Sequence, residues 1–286
     1  MDGVAVVGAS VLERGDGAAE LGFVRRCGVT RVDHLYQKAP CRILSPRSEA
    51  GEPLQAVLVT TSGGLADGDR LRLALAAGNG AVAQVTTQAA ERVYRARDTV
   101  PARFDCDIGV GDGAWLEWLP QETILFDGAR LERRTRASVA PGGRLLACEH
   151  VVLGRVARGE NFTEGCLFDR LDILRDGRLV WCDALALSGD MAMARRAPWG
   201  FAGAEAIATV VYVADDAPDV RDRARNILAD AIPEGARAGV TVVNGILIAR
   251  FLGGAVAVRV GLSAFIAAFR AVAGGYRPVP PRLWTT

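Results

Sequence analysis

Short runs of alternating apolar and polar residues fill about the first two hundred positions of the chain, and this period of two predicts β-strands. Four of the runs each follow a glycine turn, at 81–87, 114–119, 144–153 and 178–187. A fifth run, 131–139, carries most of its charges on one side and has Leu131, Arg133, Thr135, Ala137 and Val139 on the other. The pattern predicts a chain built mainly of strands.

The glycine turns recur along the chain. Overlaying "GNGAVAQVTTQ", "GDGAWLEWLPQ", "PGGRLLACEHV" and "RDGRLVWCDAL" aligns Gly80, Gly113, Gly143 and Gly177, at spacings of 33, 30 and 34 residues. A strand-turn-strand unit of this period indicates stacked β-coils or layered sheets. Chance recurrence of turn glycines in an antiparallel sandwich is the alternative, and both interpretations are mainly β.

The pattern changes near residue 205. Strands are predicted at 206–214, 240–243 and 246–251, and a helix within 215–232, with Val220, Ala224, Ile227, Leu228 and Ala231 on its apolar face. A second helix is predicted within 261–275 and stops at Gly274 and Gly275, while three prolines exclude helix after residue 276. The predicted fold is mainly β, with layered or solenoid-like sheets in 1–204. A smaller strand-and-helix part, 205–286, contains two helices and packs on it as one compact unit.

Composition narrows the classes of protein. The 286 residues are 50% hydrophobic with a net charge of +1, which favours a folded globular chain and gives no reason to expect nucleic acid or an acidic membrane as partner. The first seventeen residues lack the basic start of a signal peptide, and the apolar stretch 246–260 is interrupted by Arg250, Gly253 and Gly254. Six cysteines without a CxxC pair indicate reduced, mostly buried thiols. We therefore expect a cytoplasmic protein without a membrane span.

The loop "TTSGGLADGDRL", residues 60–71, has the composition of a binding loop. A phosphate-binding P-loop is excluded because the Gly-Lys-Ser/Thr ending is missing and a strand follows where a helix is required. Asp67 and Asp69 can still offer carboxylates to a cation. The alternative is a plain β-turn with Asp-Gly geometry.

Catalytic patterns are weak. The chain has two histidines, His34 and His150, and no Gly-x-Ser-x-Gly elbow. Strand alternation puts Cys148 and His150 on one face and Glu149 on the other, so the first two can hold a soft metal transiently or be ordinary buried side chains. Six acids are spread along the middle of the chain, at positions 91, 117, 122, 149, 160 and 164. A β-solenoid or sandwich hydrolase that acts on a polysaccharide with a pair of these carboxylates is therefore the alternative function.

Taken together, five stretches resemble the urease accessory protein family called UreD, or UreH in some bacteria. Four of them are "SGGLADGD", "VTTQAAERVYRA", "LEWLPQETILFDGARLERRTR" and "GRVARGENFTEGCLFDRLDI". The fifth is the pair Pro198-Trp199 with the terminal Pro281-Arg282-Leu283-Trp284. They occur in the family's order across residues 20–286.

The resemblance implies a non-enzymatic scaffold with a two-layered, helix-poor β fold. Such a protein binds apo-urease and acts with UreF and the GTPase UreG to deliver nickel, with no tightly bound cofactor and with nickel in transit. A dimer within the accessory complex is compatible with this role. The sequence departs from the family pattern at Asp67, where glycine is common, and at Glu91-Arg92, where small hydroxyl residues and lysine are common.

Nickel in transit requires ligands that exchange quickly, and carboxylates and water meet that need better than a Cys/His cage. We expect Asp69, with Asp67, Glu149 and Glu160, to line an internal path between the layers. Cys148 and His150 are weaker candidates for the same metal. The alternative for Glu160 is a buried ion pair with Arg155 or Arg170.

The terminal segment is the predicted partner surface. Tyr276, Leu283 and Trp284 lie among prolines that prevent helix packing, so they can form a strand that docks on a partner protein. Packing of the same residues back onto their own domain is the alternative.

Overall fold

A computed structural model describes residues 14–285, which form seventeen strands and three α-helices. The strands up to the middle of the chain are β1 (Asp16–Arg26), β2 (Val29–Lys38), β3 (Cys41–Leu44), β4 (Leu54–Thr60), β5 (Arg70–Ala77), β6 (Val82–Thr87), β7 (Glu91–Val93), β8 (Ala102–Val110) and β9 (Trp115–Leu119). The next five are β10 (Thr123–Leu125), β11 (Arg130–Val139), β12 (Arg144–Leu153), β13 (Cys166–Arg175) and β14 (Arg178–Ser188). The last three are β15 (Ala206–Val213), β16 (Ala236–Val243) and β17 (Ile246–Gly253). The helices are α1 (Met191–Arg196), α2 (Arg221–Ala231) and α3 (Ala255–Gly274), with short 3-10 turns at Val156–Arg158 and Arg282–Trp284.

The strands form two sheets that share a hydrophobic core. The seven-stranded sheet has the order β14-β13-β11-β8-β5-β1-β2, and the ten-stranded sheet has the order β16-β17-β15-β12-β9-β6-β4-β3, with β10 and β7 attached at β12. From β4 to β13 the chain passes back and forth between the sheets, and strands that become neighbours in one sheet are parallel. The chain therefore winds as a parallel β-coil. The predicted fold class, mainly β with layered, solenoid-like sheets, is confirmed.

The glycine repeat is confirmed for its first two turns and shifted by one residue in the third. Val82 pairs with Trp115 and Trp115 pairs with Arg144, so Gly142 occupies the place of Gly80 and Gly113. These three glycines have φ of 73°, 66° and 62°, the left-handed conformation that a coil corner requires here. The predicted overlay on Gly143 is wrong by one position.

The fourth glycine turn belongs to a different structure. Gly177 follows Asp176 in the tight turn between β13 and β14, which pair antiparallel. Both residues have positive φ, at 49° for Asp176 and 71° for Gly177, as a type I′ hairpin requires. The same sequence signal thus marks coil corners in one part of the chain and a hairpin in another.

The C-terminal strands continue the ten-stranded sheet. β15 pairs antiparallel with β12, β17 with β15, and β16 with β17. The division of the chain at residue 204 stays a prediction. Two helices were predicted here and are present as α2 and α3. α1 was not predicted, and it begins where the Asp190 carboxylate accepts a hydrogen bond from the Met193 N–H at 2.8 Å.

The α3 helix covers the outer face of the ten-stranded sheet. Phe265 and Phe269 stack with ring centroids 5.4 Å apart, and Phe269 meets Tyr212 of β15 at 5.3 Å. α3 begins six residues before the predicted range, and Gly275 ends it with φ of 73°. By length and composition alone α3 could cross a membrane, which is weak evidence since a core helix has the same properties. Its buried face makes it a core helix in this fold.

Two further expectations concern the thiols and the start of the chain. Cys41, Cys106 and Cys148 are buried and Cys166 is half-buried, whereas Cys27 and Cys182 are exposed, and none forms a disulfide. The prediction of mostly buried thiols therefore holds for four of the six. The prediction that no signal peptide is present rests largely on residues 1–13, which lie outside the described residues.

Candidate functional site

Hydrogen bonds to Asp69 fix the conformation of the glycine-rich loop between β4 and β5. Asp69 accepts hydrogen bonds from the Gly15 N–H at 2.7 Å and from the Ala66 N–H at 2.8 Å, one through each carboxylate oxygen. Gly64 has φ of 152°, and a Cβ there would lie 2.7 Å from the Arg92 carbonyl oxygen. The glycines thus have the turn role that was predicted. Because both oxygens of Asp69 bind backbone N–H groups, its role as a nickel ligand stays a prediction without support from this geometry.

Asp67 is a buried counter-ion. Its Oδ2 accepts a hydrogen bond from Arg14 Nη2 at 3.0 Å, and its side chain is 3% exposed. Burial alone would raise the pKa of Asp67, but the hydrogen bond from Arg14 and backbone hydrogen bonds outweigh it and hold the pKa below its usual value. The extra carboxylate of this loop therefore anchors the segment that leads into β1.

Glu160 lies in the loop after the first 3-10 turn, where it forms the alternative ion pair with Arg155, although the pair is not buried as expected: the two side chains are 25% and 39% exposed. Arg155 Nε lies 3.1 Å from Glu160 Oε2, and the Asp127 N–H donates to Oε1 at 3.0 Å. The hydrogen bond from Arg155 is the main reason that the pKa of Glu160 is lowered. Arg170 binds Asp172 instead.

The two faces of β12 differ, as its alternation predicts. Cys148 packs in the core beneath the helices, with Sγ 3.8 Å from the Pro120 carbonyl oxygen. His150 is 3% exposed, its Nε2 has no hydrogen-bond partner among the described residues, and burial lowers its pKa to about 4. Residues 14–285 contain no group of three or more His, Cys, Asp or Glu side chains that could hold a metal ion.

Glu149 points the other way, into the layer between the sheets. Its Oε1 accepts a hydrogen bond from Thr135 Oγ1 at 2.7 Å, and its Oε2 lies 3.9 Å from Arg133 Nη2. Burial, followed by the nearby Asp169 carboxylate, raises the pKa of Glu149 to about 7, against the opposing effects of Arg133 and Thr135. Of the four predicted carboxylates, Glu149 is the one that the structure places between the layers.

Two small cavities meet at Glu149. One has a volume of about 80 Å³, and its polar lining is Glu149, Asp169, Asp183, Thr209 and Arg250. The other has a volume of about 40 Å³, and its polar lining is Thr87, Glu91, Gln121, Thr123, Arg133, Thr135 and Glu149. Each is large enough for at least one water molecule and too small for an organic substrate. Neither is lined by Asp67, Asp69 or Glu160.

Arg133 sits at the boundary of the two cavities. It lies directly opposite Asp169 in the parallel ladder of β11 and β13, and its Nε donates to Asp169 Oδ1 at 2.8 Å while Nη2 pairs with Oδ2. Its Nη1 donates to Thr123 Oγ1 at 3.1 Å. Burial would lower the pKa of Arg133, but Asp169 and Glu149 raise it further above its usual value. The guanidinium is therefore a permanent charge in the interior.

The row of polar groups reaches toward the surface at both ends. At one end, Glu91 accepts a hydrogen bond from Thr60 Oγ1 at 2.8 Å, and burial of its carboxyl group raises its pKa to about 7. At the other end, Asp183 and Arg250 form an ion pair at 2.6 Å, and their side chains are 28% and 50% exposed. The interior therefore holds a file of side-chain oxygens from Glu91 to Asp183, interrupted by the guanidinium of Arg133 and ending at the guanidinium of Arg250.

Sequence reasoning missed most of this file, although one signal was present. Arg133 and Thr135 stand on the apolar side of β11, where a buried strand needs hydrophobic side chains. Asp169 does the same on β13, between Leu167 and Leu171. A charge at an inward position indicates a buried partner of the opposite sign, but the alternation alone does not say which one.

The terminal segment packs on its own domain, which was the alternative to docking. Trp284 is buried, and its Nε1 donates to the Leu119 carbonyl oxygen at 3.2 Å. Tyr276 is half-buried against Trp115, with ring centroids 5.2 Å apart. The Leu283 carbonyl oxygen accepts a hydrogen bond from the Gln121 side chain. Docking of these residues on a partner stays a prediction and requires the segment to leave this position.

A second buried charge cluster holds α3 against the ten-stranded sheet beside this segment. Arg270 is 1% exposed, and its Nε donates to Glu117 Oε1 at 3.1 Å while its Nη2 lies 2.9 Å from Glu52 Oε2. Trp115 Nε1 also donates to Glu117, at 3.0 Å. The Glu117 carboxylate is therefore a structural counter-ion.

The fold and its interior indicate the class of protein: a parallel β-coil whose two sheets enclose a file of polar side chains. The family model described as UreD urease accessory protein matches residues 15–285. The chain belongs to the UreD family of urease accessory proteins.

Similar proteins carry the same family name. The chain is 42% identical over 239 residues to the urease accessory protein UreD of Magnetococcus marinus, covering 83% of this chain and 82% of the relative. It is 39% identical over 280 residues to the urease accessory protein UreD of Azorhizobium caulinodans, covering 98% of this chain and 99% of the relative. The resemblance found in the five sequence stretches is therefore confirmed over almost the whole length.

Proposed function

We propose that this chain is a non-enzymatic scaffold in urease maturation that acts with UreF and the GTPase UreG on apo-urease. Membership of the UreD family supports the role in urease maturation. The partners, the delivery of nickel and the cytoplasm as the place of action are parts of the proposal, as is a dimer within the accessory complex. The six unpaired thiols fit a reducing compartment.

Nickel passes through the interior of this chain in our proposal, and the file from Glu91 through Glu149 and Asp169 to Asp183 is the observation that supports it. Oxygen ligands in small cavities with room for water bind a divalent cation weakly and release it quickly, as transit requires. Cys148 and His150 lie on the opposite face of β12, so this path does not use them. Of the four carboxylates first expected to line the path, Glu149 keeps this role and Asp67, Asp69 and Glu160 have ion-pair or turn contacts instead.

Replacing Glu149 with Gln tests the path. The amide keeps the shape and can still accept the hydrogen bond from Thr135, but it removes the negative charge that a cation needs. We expect urease matured in cells with the Glu149→Gln chain to contain less nickel, while the amount of this chain that co-purifies with UreF and urease is unchanged. Metal analysis of purified urease gives the first quantity, and quantitative pull-down gives the second.

Glu160→Gln is the matched control, because it makes the same chemical change at a carboxylate outside the cavities. We expect it to leave nickel content close to that of the unchanged chain. Normal nickel content with Glu149→Gln would refute the interior path, and a loss with Glu160→Gln alone would move the path to the loop of Glu160.

The docking role of the terminal segment needs a separate measurement. Truncation would also remove the buried Trp284, so a change at the half-buried Leu283 is the sharper test. We expect Leu283→Asp to weaken co-purification with UreF if the segment docks. If co-purification is unchanged, the terminal segment serves only to pack on its own domain.

The polysaccharide hydrolase is not favoured by any observation among residues 14–285. Four of the six acids considered bind an arginine directly, in the pairs Glu117–Arg270, Glu122–Arg259, Glu160–Arg155 and Glu164–Arg95. The remaining two, Glu91 and Glu149, line a cavity of about 40 Å³, which has no room for a sugar.

A further inference from the structure

The guanidinium of Arg133 places a positive charge on the proposed path for cations. Its side chain is 7% exposed, and it lies between the carboxylates of Glu149 and Asp169, where a divalent cation would find its oxygen ligands. A positive charge fixed at that point repels a second one at close range. The path from Glu91 to Asp183 is therefore closed in this conformation.

The hydrogen bonds of Arg133 also join the two cavities. Arg133 and Thr123 line the smaller cavity, Asp169 lines the larger one, and the bond between Arg133 and Asp169 crosses from one to the other. Glu149 lines both. A guanidinium that released Asp169 would leave Glu149 and Asp169 facing a continuous space.

We propose that Arg133 is a bolt that closes the interior path, and that nickel passes when the guanidinium leaves Asp169. This inference rests on the proposed passage of nickel through the interior. The guanidinium acts as a tethered cation that holds the place of the travelling one between the two carboxylates. Release of the guanidinium from both Asp169 and Thr123 opens the path.

Two anchors set how firmly the bolt is closed. Asp169 binds the guanidinium through two nitrogens, which fixes its plane as well as its position. Thr123, on β10, adds one hydrogen bond at 3.1 Å, from the charged guanidinium to its uncharged hydroxyl oxygen. Removing the weaker anchor loosens the bolt and leaves every charge in place.

Thr123→Val makes this change with almost no change in shape. We expect apo-urease in the purified accessory complex, given free nickel ions, to acquire nickel with an initial rate at least about tenfold higher, the factor that the loss of one hydrogen bond from a charged donor gives. Nickel content of urease at successive short times gives the rate. Pull-down of the complex and thermal unfolding of the variant chain confirm that assembly and fold are intact.

Thr135→Val is the matched comparison. Thr135 is equally buried in the same cavity, but its hydroxyl binds Glu149 and has no bond to Arg133, so we expect no increase in rate. If Arg133 has only a structural role, neither variant should increase the rate at which urease acquires nickel.

The outcomes separate the two proposals. The bolt is supported if urease acquires nickel faster with the Thr123→Val chain and not faster with the Thr135→Val chain. A Thr123→Val rate at or below the original, while Glu149→Gln lowers nickel loading, overturns the bolt and leaves the interior path standing. Normal loading with Glu149→Gln overturns both.

A second pair of variants covers the case in which Thr123→Val does not fold. Thr123→Ser retains the hydroxyl that binds Arg133, whereas Arg133→Lys replaces the guanidinium with an ammonium that cannot bind Asp169 through two nitrogens in one plane. If Arg133 is the bolt, urease in the complex with the Arg133→Lys chain should acquire nickel faster than urease in the complex with the Thr123→Ser chain. Equal rates would overturn the proposal.

Discussion

Replacing His150 with Leu should make the protein more resistant to acid. His150 is buried beneath the helices with its Nε2 unpaired, and burial lowers its pKa to about 4 from an ordinary value of about 6.5. The unfolded chain therefore binds a proton at this site between pH values of about 6.5 and 4 while the folded chain does not. Stability from the neutral histidine is complete above the unfolded pKa and is lost as the pH falls through this window.

The magnitude follows from the two pKa values. The loss of unfolding free energy that His150 causes is about 1 kcal/mol at about pH 6, about 2 kcal/mol at about pH 5 and about 3 kcal/mol at about pH 4. Leucine has no proton to bind, so the difference in stability between His150→Leu and the original chain should move in favour of the variant by these amounts. Glu91 and Glu149, whose pKa values are raised to about 7, favour the folded state as the pH falls. Their effect is common to both chains and cancels in the difference.

Urea unfolding at a series of pH values between about 8 and 4 gives that difference directly. The exposed His34, whose Nε2 lies 2.9 Å from Glu20 Oε2, provides the control, because His34→Gln changes a surface contact worth little. A His150→Leu difference that stays constant between about pH 7.5 and about pH 4.5 would show that His150 is not held neutral by burial.

Two further predictions concern charges whose roles are structural. Replacing Arg270 with Met leaves the buried Glu117 without its guanidinium and should lower the unfolding free energy by about 3–5 kcal/mol, with part of the loss recovered by adding Glu117→Gln. Urea unfolding of the single and double variants checks this, and no recovery would contradict the assigned pairing. Asp69→Ala leaves two backbone N–H groups without acceptors and should cost about 1–3 kcal/mol. Asp67→Ala removes a buried carboxylate that binds Arg14 and backbone N–H groups and should also cost about 1–3 kcal/mol, so thermal unfolding should show a drop for both variants.

The fold could be predicted from the hydrophobic periodicity because each strand of the coil buries one face. β5 shows the pattern most simply, with Leu71, Leu73 and Leu75 buried and the residues between them exposed. The start of α3 was missed because 255–260 alternates valine with other residues, as a strand does. Its place in a helix depends on packing against the sheet beneath it, which a local pattern does not contain.

The site was less accessible to sequence reasoning than the fold. Resemblance drew attention to Asp69 and Glu160, but a motif position does not reveal that the oxygens of a carboxylate bind backbone N–H groups or Arg155. Alternation predicted that Glu149 lies on the strand face opposite Cys148 and His150, which is where it lies, while its role as a nickel ligand stays a prediction. Arg133 required knowledge of which strand lies beside β11, and in a coil that neighbour comes from a later turn of the chain.

The pairing of Arg133 with Asp169 belongs to the backbone ladder of β11 and β13 and does not depend on the loops between them. A residue inserted at a coil corner would lengthen a loop and leave the two side chains opposite each other. A residue deleted within β11 ahead of Arg133 would exchange the two faces of the strand, sending Arg133 to solvent and Arg134 into the interior. Length changes in this chain are thus less damaging at the corners than within the strands, even where every residue type is kept.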